Sequence, residues 1–219
     1  MKLYIFSDIH SNDANLEKIL LNMHKKSPKA LKLCLGDTVG YSGDVNRCFD
    51  LLKRFQVICV IGNHDQEAIV GYLNTEKLLF LSENGKVLPY DYGISHKNKQ
   101  FLKAMPKELT MQICGRSMYF SHGSLKPSHI SPVEISIENA LDFLSYSNCD
   151  LNFIGGKHYH EIIKIRKGHE TALEVFQPRK TMAIHIDQQH RYIFNVGAAC
   201  RDNYIFFDVP YSMATFVVG

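Results

Sequence analysis

Residues 3–10 read Leu3-Tyr4-Ile5-Phe6-Ser7-Asp8-Ile9-His10. Leu3–Phe6 is a short apolar run of strand length, and it leads directly into an aspartate and a histidine. The pattern recurs twice. Leu31–Leu35 is a second apolar run and ends on Gly36-Asp37; Val57–Ile61 is a third and ends on Gly62-Asn63. The intervening segments have helical spacing. Asn12 is placed to cap a helix with Leu16, Ile19, Leu20 and Met23 on one face, and Asp44 opens another with Val45, Cys48, Phe49, Leu52 and Phe55 as its stripe. Strand–helix alternation predicts a parallel α/β sheet. In such sheets ligands gather beyond the carboxyl ends of the strands, so three successive strands deliver polar residues to one edge.

Further along, Leu73–Leu81 and Ser95–Met105 are expected helices, the second stopped by Pro106. Leu109–Cys114 and Ser117–Ser121 flank Gly115-Arg116 and read as a hairpin. Ser131-Pro132-Val133-Glu134 is a helix start with a capping box, followed by the stripe Val133, Ile137, Ala140, Leu141 and Leu144. After Asp150 the expected elements are strands: Leu151–Ile154, Ile162–Ile165, Ala172–Phe176, Met182–Ile186, Tyr192–Asn195, Ile205–Asp208 and Thr215–Val218. Strands early and late with helices outside suggest two sheets packed face to face and covered by helices. No repeat, low-complexity tract or linker divides the chain, so residues 1–219 are expected to form one domain.

Hydrophobic residues make up 45% and charged residues 21% of the 219, enough apolar content for a substantial core. A net charge of +3 is too mild to argue for a nucleic-acid track. The densest basic stretch, His24-Lys25-Lys26 with Lys29 and Lys32, falls where a helix ends and complements its dipole. The six cysteines, at 34, 48, 59, 114, 149 and 200, include no Cys-x-x-Cys pair and read as reduced thiols, which points to a cytoplasmic protein. The apolar run at Met1–Phe6 is too short for a signal peptide, and no stretch reaches the ~18 apolar residues of a membrane span.

Five short motifs carry the chemistry: Asp8-Ile9-His10, Gly36-Asp37-Thr38-Val39-Gly40-Tyr41, Gly62-Asn63-His64-Asp65, Ser121-His122-Gly123 and His158-Tyr159-His160. Each alone has an ordinary reading. Asp8 suits a turn, Asp37 a cap, Gly62-Asn63 a turn pair, and His158 and His160 an exposed strand. Together they supply aspartates, an asparagine and several histidines, a ligand set for a pair of divalent cations. Two cations side by side clamp the attacking and leaving oxygens of a phosphoryl displacement.

On these motifs the chain resembles the calcineurin-like metallophosphoesterases, in particular their small single-domain bacterial and archaeal branch, which includes enzymes acting on dinucleoside polyphosphates. The resemblance runs from Leu3 to about Asp208. It implies a four-layer α/β/β/α sandwich of two mixed sheets, with a di-metal site at the carboxyl edge of the strands. It further implies that Asp8, His10 and His160 hold one metal, that Asn63, His122 and His158 hold the other, and that Asp37 bridges them. A metal-bridging hydroxide would attack a phosphodiester or phosphoanhydride, with His64 as general acid and Asp65 orienting its imidazole. The expected cofactors are two divalent ions, manganese first, with iron, zinc, nickel or cobalt also suited to histidine plus carboxylate. The expected substrate is a small phosphate ester such as a nucleotide or dinucleoside polyphosphate, with no membrane or nucleic-acid partner.

The chain departs from the family pattern in two places. The family's last motif is usually glycine-histidine-x-histidine; here Gly155-Gly156-Lys157 precedes His158, so Lys157 takes the glycine's place and is positioned to reach substrate. Near the C-terminus an asparagine-proline-glycine-serine segment becomes Asn195-Val196-Gly197-Ala198, followed by Ala199-Cys200-Arg201-Asp202. Arg201 is a candidate phosphate contact, with a surface ion pair to Asp202 as the alternative. His129 and the loops around Tyr41 and Tyr72 bear on substrate choice. A serine/threonine protein phosphatase or other phosphomonoesterase is the alternative enzyme. Tyr41-Ser42-Gly43 and Asp65 stand where such phosphatases carry aspartate-arginine-glycine and glutamate. The alternative from another class is a scaffold that keeps the fold without catalysis.

Overall fold

The structure is a computed structural model that describes residues 1–40, 42–70, 93–123, 137–169 and 173–219. Among the described residues the strands form two six-stranded mixed sheets. The first begins with β1 (Lys2–Phe6), β2 (Leu31–Cys34) and β3 (Ile58–Cys59), paired in parallel. It continues antiparallel from β1 through β11 (Tyr204–Asp208) and β12 (Met213–Val217) to β9 (Met182–His185). The second sheet has β5 (Arg116–Ser121), β6 (Leu151–Ile154) and β10 (His190–Val196) in parallel at its centre. The hairpin partner β4 (Glu108–Ile113) borders β5, and β7 (His160–Arg166) and β8 (Glu174–Phe176) complete the other edge.

Alternation along the strands decides the layering, because successive side chains face opposite ways. Leu3, Ile5, Leu33 and Leu35 face the second sheet and pack with Phe120, Phe153, Phe194, Phe207 and Phe216. Phe120, Phe153 and Phe194 lie in register on three neighbouring strands, with stacked rings whose centroids are 5.3 and 5.1 Å apart. Tyr4, Phe6 and Cys34 face the other way, against α1 (Asp13–Lys26), α2 (Val45–Arg54) and α4 (His96–Lys103). On the far side α5 (Ile137–Ser147) lays Ala140, Phe143 and Leu144 over Tyr119, Ile163 and Ile193. The order is therefore helix, sheet, sheet, helix.

Asn12 caps α1 by accepting from the Asn15 N–H, and the buried face is Leu16, Ile19, Leu20 and Met23, as its spacing predicts. Asp44 caps α2 through the Asn46 and Arg47 N–H groups, and Ser95 caps α4. The expected helix Leu73–Leu81 and the helix start at Ser131 lie outside the described residues. A helix that sequence reading missed, α3 (Asn63–Val70), begins directly at the third motif. Its Asn-His-Asp-Gln start lacks an apolar stripe, so the Gly62-Asn63 pair reads as a turn. No described helix is long and apolar enough to cross a membrane.

Candidate metal centre

The loops after β1 and β2 lie side by side. Asp8, His10 and Asp37 have φ of +58°, +49° and +53°, a region that non-glycine residues seldom adopt. Backbone pairing holds them there. The Asp8 N–H donates to the Gly36 carbonyl at 3.0 Å, Ile9 and His10 donate to the Asp37 carbonyl at 2.9 and 3.0 Å, and Ser11 donates to Thr38 at 2.8 Å. Such strain collects at functional sites, where the surroundings over-determine it.

The loop after β3 closes on the same point. A Cβ on Gly62 would lie 2.2 Å from Asp37 Oδ1, so only glycine lets this backbone pass. Buried Asp65 joins the two loops: Oδ1 accepts the Val39 N–H at 2.9 Å and Oδ2 the Gly62 N–H at 3.0 Å. Burial and the neighbouring Asp37 charge push its pKa up to about 7, against the opposing pull of those two N–H groups. The expectation that Asp65 orients the His64 imidazole gives way to a clamp between backbones.

Asp37 Oδ1 accepts the His64 N–H at 3.0 Å in the first turn of α3, where the helix dipole favours a carboxylate. Its Oδ2 lies 3.3 Å from His122 Nε2 and 3.9 Å from His64 Nε2. Burial raises the Asp37 pKa, but His122, His64 and His10 outweigh it and leave the group below its ordinary value. His122 follows β5. Its Nδ1 is 2.6 Å from the Leu35 carbonyl, which only accepts, so Nδ1 carries the proton and Nε2 is left as the ligand atom. That Nε2 lies 3.0 Å from Asn63 Oδ1. Burial lowers the His122 pKa, yet the charges of Asp37 and Asp8 prevail and push it up to about 10, so Nε2 also carries a proton that a bound cation would displace.

The second constellation forms around Asp8. Its Oδ2 accepts the Gly156 N–H at 3.1 Å. Its Oδ1 is buried with no hydrogen-bond donor among the described residues and faces His158 Nε2 at 3.5 Å and His10 Nε2 at 3.8 Å. The two imidazole Nε2 atoms of His10 and His158 are 3.0 Å apart. Burial lowers the His10 pKa despite Asp37 and Asp8, which favours the neutral, ligating imidazole.

These separations suit cations. At a metal–nitrogen distance of about 2.1 Å, two ligands at right angles sit about 3 Å apart. Among the described residues, three groups have ligand atoms within 4.8 Å of one another: Asp8, His10 and His158; Asp8, Asp37 and His122; and His10, Asp37 and His64. Asp8, His10 and Asp37 each belong to two of them. A donor set of imidazole, carboxylate and amide oxygen fits divalent transition metals, and the unpartnered Asp8 Oδ1 is the kind of atom a cation satisfies.

The remaining candidates lie elsewhere. His158 stands with Asp8 and His10, and the buried His160 Nδ1 has no hydrogen-bond partner among the described residues. His160 begins β7, is buried, places Nε2 2.8 Å from the Val217 carbonyl, and sets its ring edge-on to Phe216 at 5.4 Å. Lys157 Nζ is tied to the Glu161 carboxylate at 2.6 Å rather than projecting toward a substrate. Arg201 is exposed, and Asp202 pairs with Lys18 at 2.8 Å. Cys200 is half-buried; its N–H donates to the Asp8 carbonyl at 3.1 Å, and burial raises its thiol pKa. His64 sets its ring edge-on to His10 at 5.0 Å. Tyr41, Tyr72 and His129 lie outside the described residues.

Sequence reading missed two supports. Ser7 Oγ reaches the Leu35 carbonyl at 3.1 Å and His122 Nδ1 at 3.4 Å. Asn195 donates to the Gly155 carbonyl at 3.0 Å and so holds the loop that carries Gly156 and His158. Ser7 adjoins the first motif and Asn195 ends a strand, but only long-range contacts show what either one holds.

Comparison with known proteins gives the family. The chain is 29% identical over 196 residues to the uncharacterized protein MJ0912 of Methanocaldococcus jannaschii, covering 89% of this chain and 74% of that protein. A metallophosphoesterase structure from Sphaerobacter thermophilus matches with a TM-score of 0.73 and 25% identity over 100% of this chain and 87% of that one. An archaeal phosphodiesterase structure shares the fold at a TM-score of 0.52 and 13% identity, with 100% of both chains covered. The family described as the calcineurin-like phosphoesterase superfamily domain matches residues 1–216. With that match over nearly its whole length, and aspartate and histidine clusters where the strands end, the chain belongs to the calcineurin-like phosphoesterases and is a phosphate-ester hydrolase.

Proposed function

We propose that the protein hydrolyses phosphodiester or phosphoanhydride bonds of a small substrate of the nucleotide class, using two divalent cations with manganese as the first choice. The observation that carries this reading is the run of overlapping donor groups that Asp8, His10 and Asp37 link. Asp8, His10 and His158 would hold one cation, Asn63 and His122 the other, with Asp37 shared between them. When bound, such a pair neutralises phosphate charge and acidifies a water.

The chain's own groups do the rest. The Asp8 and Asp37 carboxylates only partly offset two divalent cations, so the site stays positive and suits an anionic ester. The Leu35 carbonyl fixes the His122 tautomer, and the Asp65 clamp fixes the backbone beside Asp37 and Asn63. His64 is part-exposed beside Asp37 and is assigned as proton donor to the leaving oxygen. Arg201 is exposed and is left out of this assignment.

The test is a panel containing an aryl phosphodiester, a dinucleoside polyphosphate and an aryl monoester, with manganese-supplied protein. Turnover of the first two that stops on chelation and returns with metal is the expected result. Monoester-only turnover would move the reading to a phosphomonoesterase. Silence across the panel with both cations shown to be bound would overturn catalysis of this class.

A further inference from the structure

The amino ends of the central strands of the second sheet carry a cleft of about 400 Å³. Sites for small molecules run from ~300 to ~1,000 Å³. Arg116 and Ser117 enter it from the start of β5, and Asp150 from just before β6. Lys167 follows β7, and Asp187 and Gln188 come from the turn between β9 and β10. The metal centre is at the other end of the same strands. β5 runs from Arg116 to Ser121 and hands on to His122, so a strand length of ~17–20 Å lies between the two.

The carboxylates of the cleft are already engaged. Asp150 holds Lys167 Nζ at 2.6 Å and faces Arg191 Nε at 3.9 Å. Asp187 accepts from the Gln189 N–H at 2.8 Å and the Tyr192 hydroxyl at 2.9 Å, and pairs with His190 Nδ1 at 2.7 Å. Arg116 is different. It is half-buried, and its guanidinium donates to the neutral Ser212 hydroxyl at 2.6 Å, with no ion pair among the described residues. A guanidinium carries five N–H donors in a fixed fork, a match for the oxygens of an anion. The Lys167–Asp150 pair beside it is exposed, with side chains 40% and 54% accessible, and exposed pairs hold weakly. Its ammonium can therefore turn to a ligand at little cost.

We infer that this cleft is a second binding site, for the phosphate group of a small molecule. The uncompensated Arg116 guanidinium grips two phosphate oxygens as a fork. Lys167 supplies the second positive charge that a phosphate monoester, close to a dianion at neutral pH, calls for. A monocarboxylate would need only one of the two cations. Ser117 and Gln188 offer polar contacts to the rest of the molecule. The site stands apart from the cations proposed at the carboxyl ends and does not depend on them.

The test is a titration of the chelator-treated chain, which offers no cation to capture phosphate, with inorganic phosphate, adenosine monophosphate and succinate in turn. Calorimetry gives the affinity, and backbone amide shifts give the place. Saturable binding of a phosphate with a dissociation constant below ~1 mM is expected, with shifts at Ser117, Lys167 and Gln188. Arg116→Gln keeps an amide donor for the Ser212 hydroxyl and should weaken binding ~10-fold or more, the loss of a charged hydrogen bond. Lys167→Gln, on the surface, should weaken it less. Tighter binding of the nucleotide than of inorganic phosphate would assign the site to a phosphate ester, and equal binding would assign it to free phosphate. Succinate binding as tightly as either would overturn the phosphate assignment. So would shifts confined to residues 121–123 and 156–158, or unchanged affinity in both folded variants. None of these outcomes bears on the two-cation reading.

Discussion

His64 sits at a division between two chemistries. Its ring lies against His10 and its Nε2 is 3.9 Å from Asp37 Oδ2, close enough to belong to a donor group and exposed enough to meet a leaving oxygen. As a proton donor it matters most for poor leaving groups, and a positioned acid contributes ~10²–10⁴-fold. His64→Ala is expected to keep both cations and to lose more turnover on an alkyl ester than on its matched aryl ester. Loss of a cation in that variant would make His64 a ligand, and equal losses on both esters would argue against proton donation. Asp65 presents a different case. Asn at 65 would still accept one backbone N–H, but its NH₂ would face the other. Disturbing groups that orient ligands costs ~10–100-fold in metal affinity. Asp65→Asn is expected to weaken manganese binding by that order in a titration, while the protein stays folded by circular dichroism.

Among the elements, the turn between β9 and β10 offers a test of local electrostatics away from the site. Asp187 accepts from the Gln189 N–H at 2.8 Å and the Tyr192 hydroxyl at 2.9 Å, and pairs with His190 Nδ1 at 2.7 Å. Burial raises its pKa, but these partners prevail and bring it down to about 2, from an ordinary 3.8. A carboxyl depressed in the folded state contributes stability that is complete above its unfolded pKa and is lost as pH falls through the folded value. The stability gap between wild type and Asp187→Asn should therefore be constant near neutral pH and close as pH drops from about 4 to about 2. Urea denaturation across that range measures it, and a gap independent of pH would rule the arrangement out. The strands carry a related lesson. Leu3–Phe6 and Leu31–Leu35 were legible because alternate residues face two different apolar layers. The helix at Asn63–Val70 was not, because its first turn is built of site residues that answer to the cluster rather than to a core stripe.

At the scale of the molecule, the cluster is a junction between the two sheets. Asp8, Asp37 and Asn63 leave the first sheet, and His122 and His158 leave the second. Cations held across that junction bind the folded chain and not the unfolded one, so they stabilise it by mass action. Manganese at a hundred times the dissociation constant should add about 2.7 kcal/mol, read as a rise in melting temperature that chelation reverses. Asp37→Asn should lose most of that rise, since Asp37 is the carboxylate proposed to be shared by both cations. A full rise in that variant would contradict a shared carboxylate.

The sequence by itself determined the order of the strands and of the helices α1, α2 and α4, the layering, and the residue types of the cluster. Periodicities of two and of helical pitch are local, and Asp8-Ile9-His10 or Gly62-Asn63-His64-Asp65 can be read within a few residues. It did not show how His158 and His160 are placed, nor what Asp65 holds. Two histidines two residues apart on a bending loop look alike in sequence. Their different surroundings come from the Val217 carbonyl and Phe216, more than fifty residues away, which hold the His160 ring, while His158 Nε2 faces Asp8. The Leu35 carbonyl selects the His122 tautomer across a separation of 87 residues in the same way. Ligand residue types are a property of the chain, whereas the direction in which each one points is set by partners that only folding brings within hydrogen-bond reach.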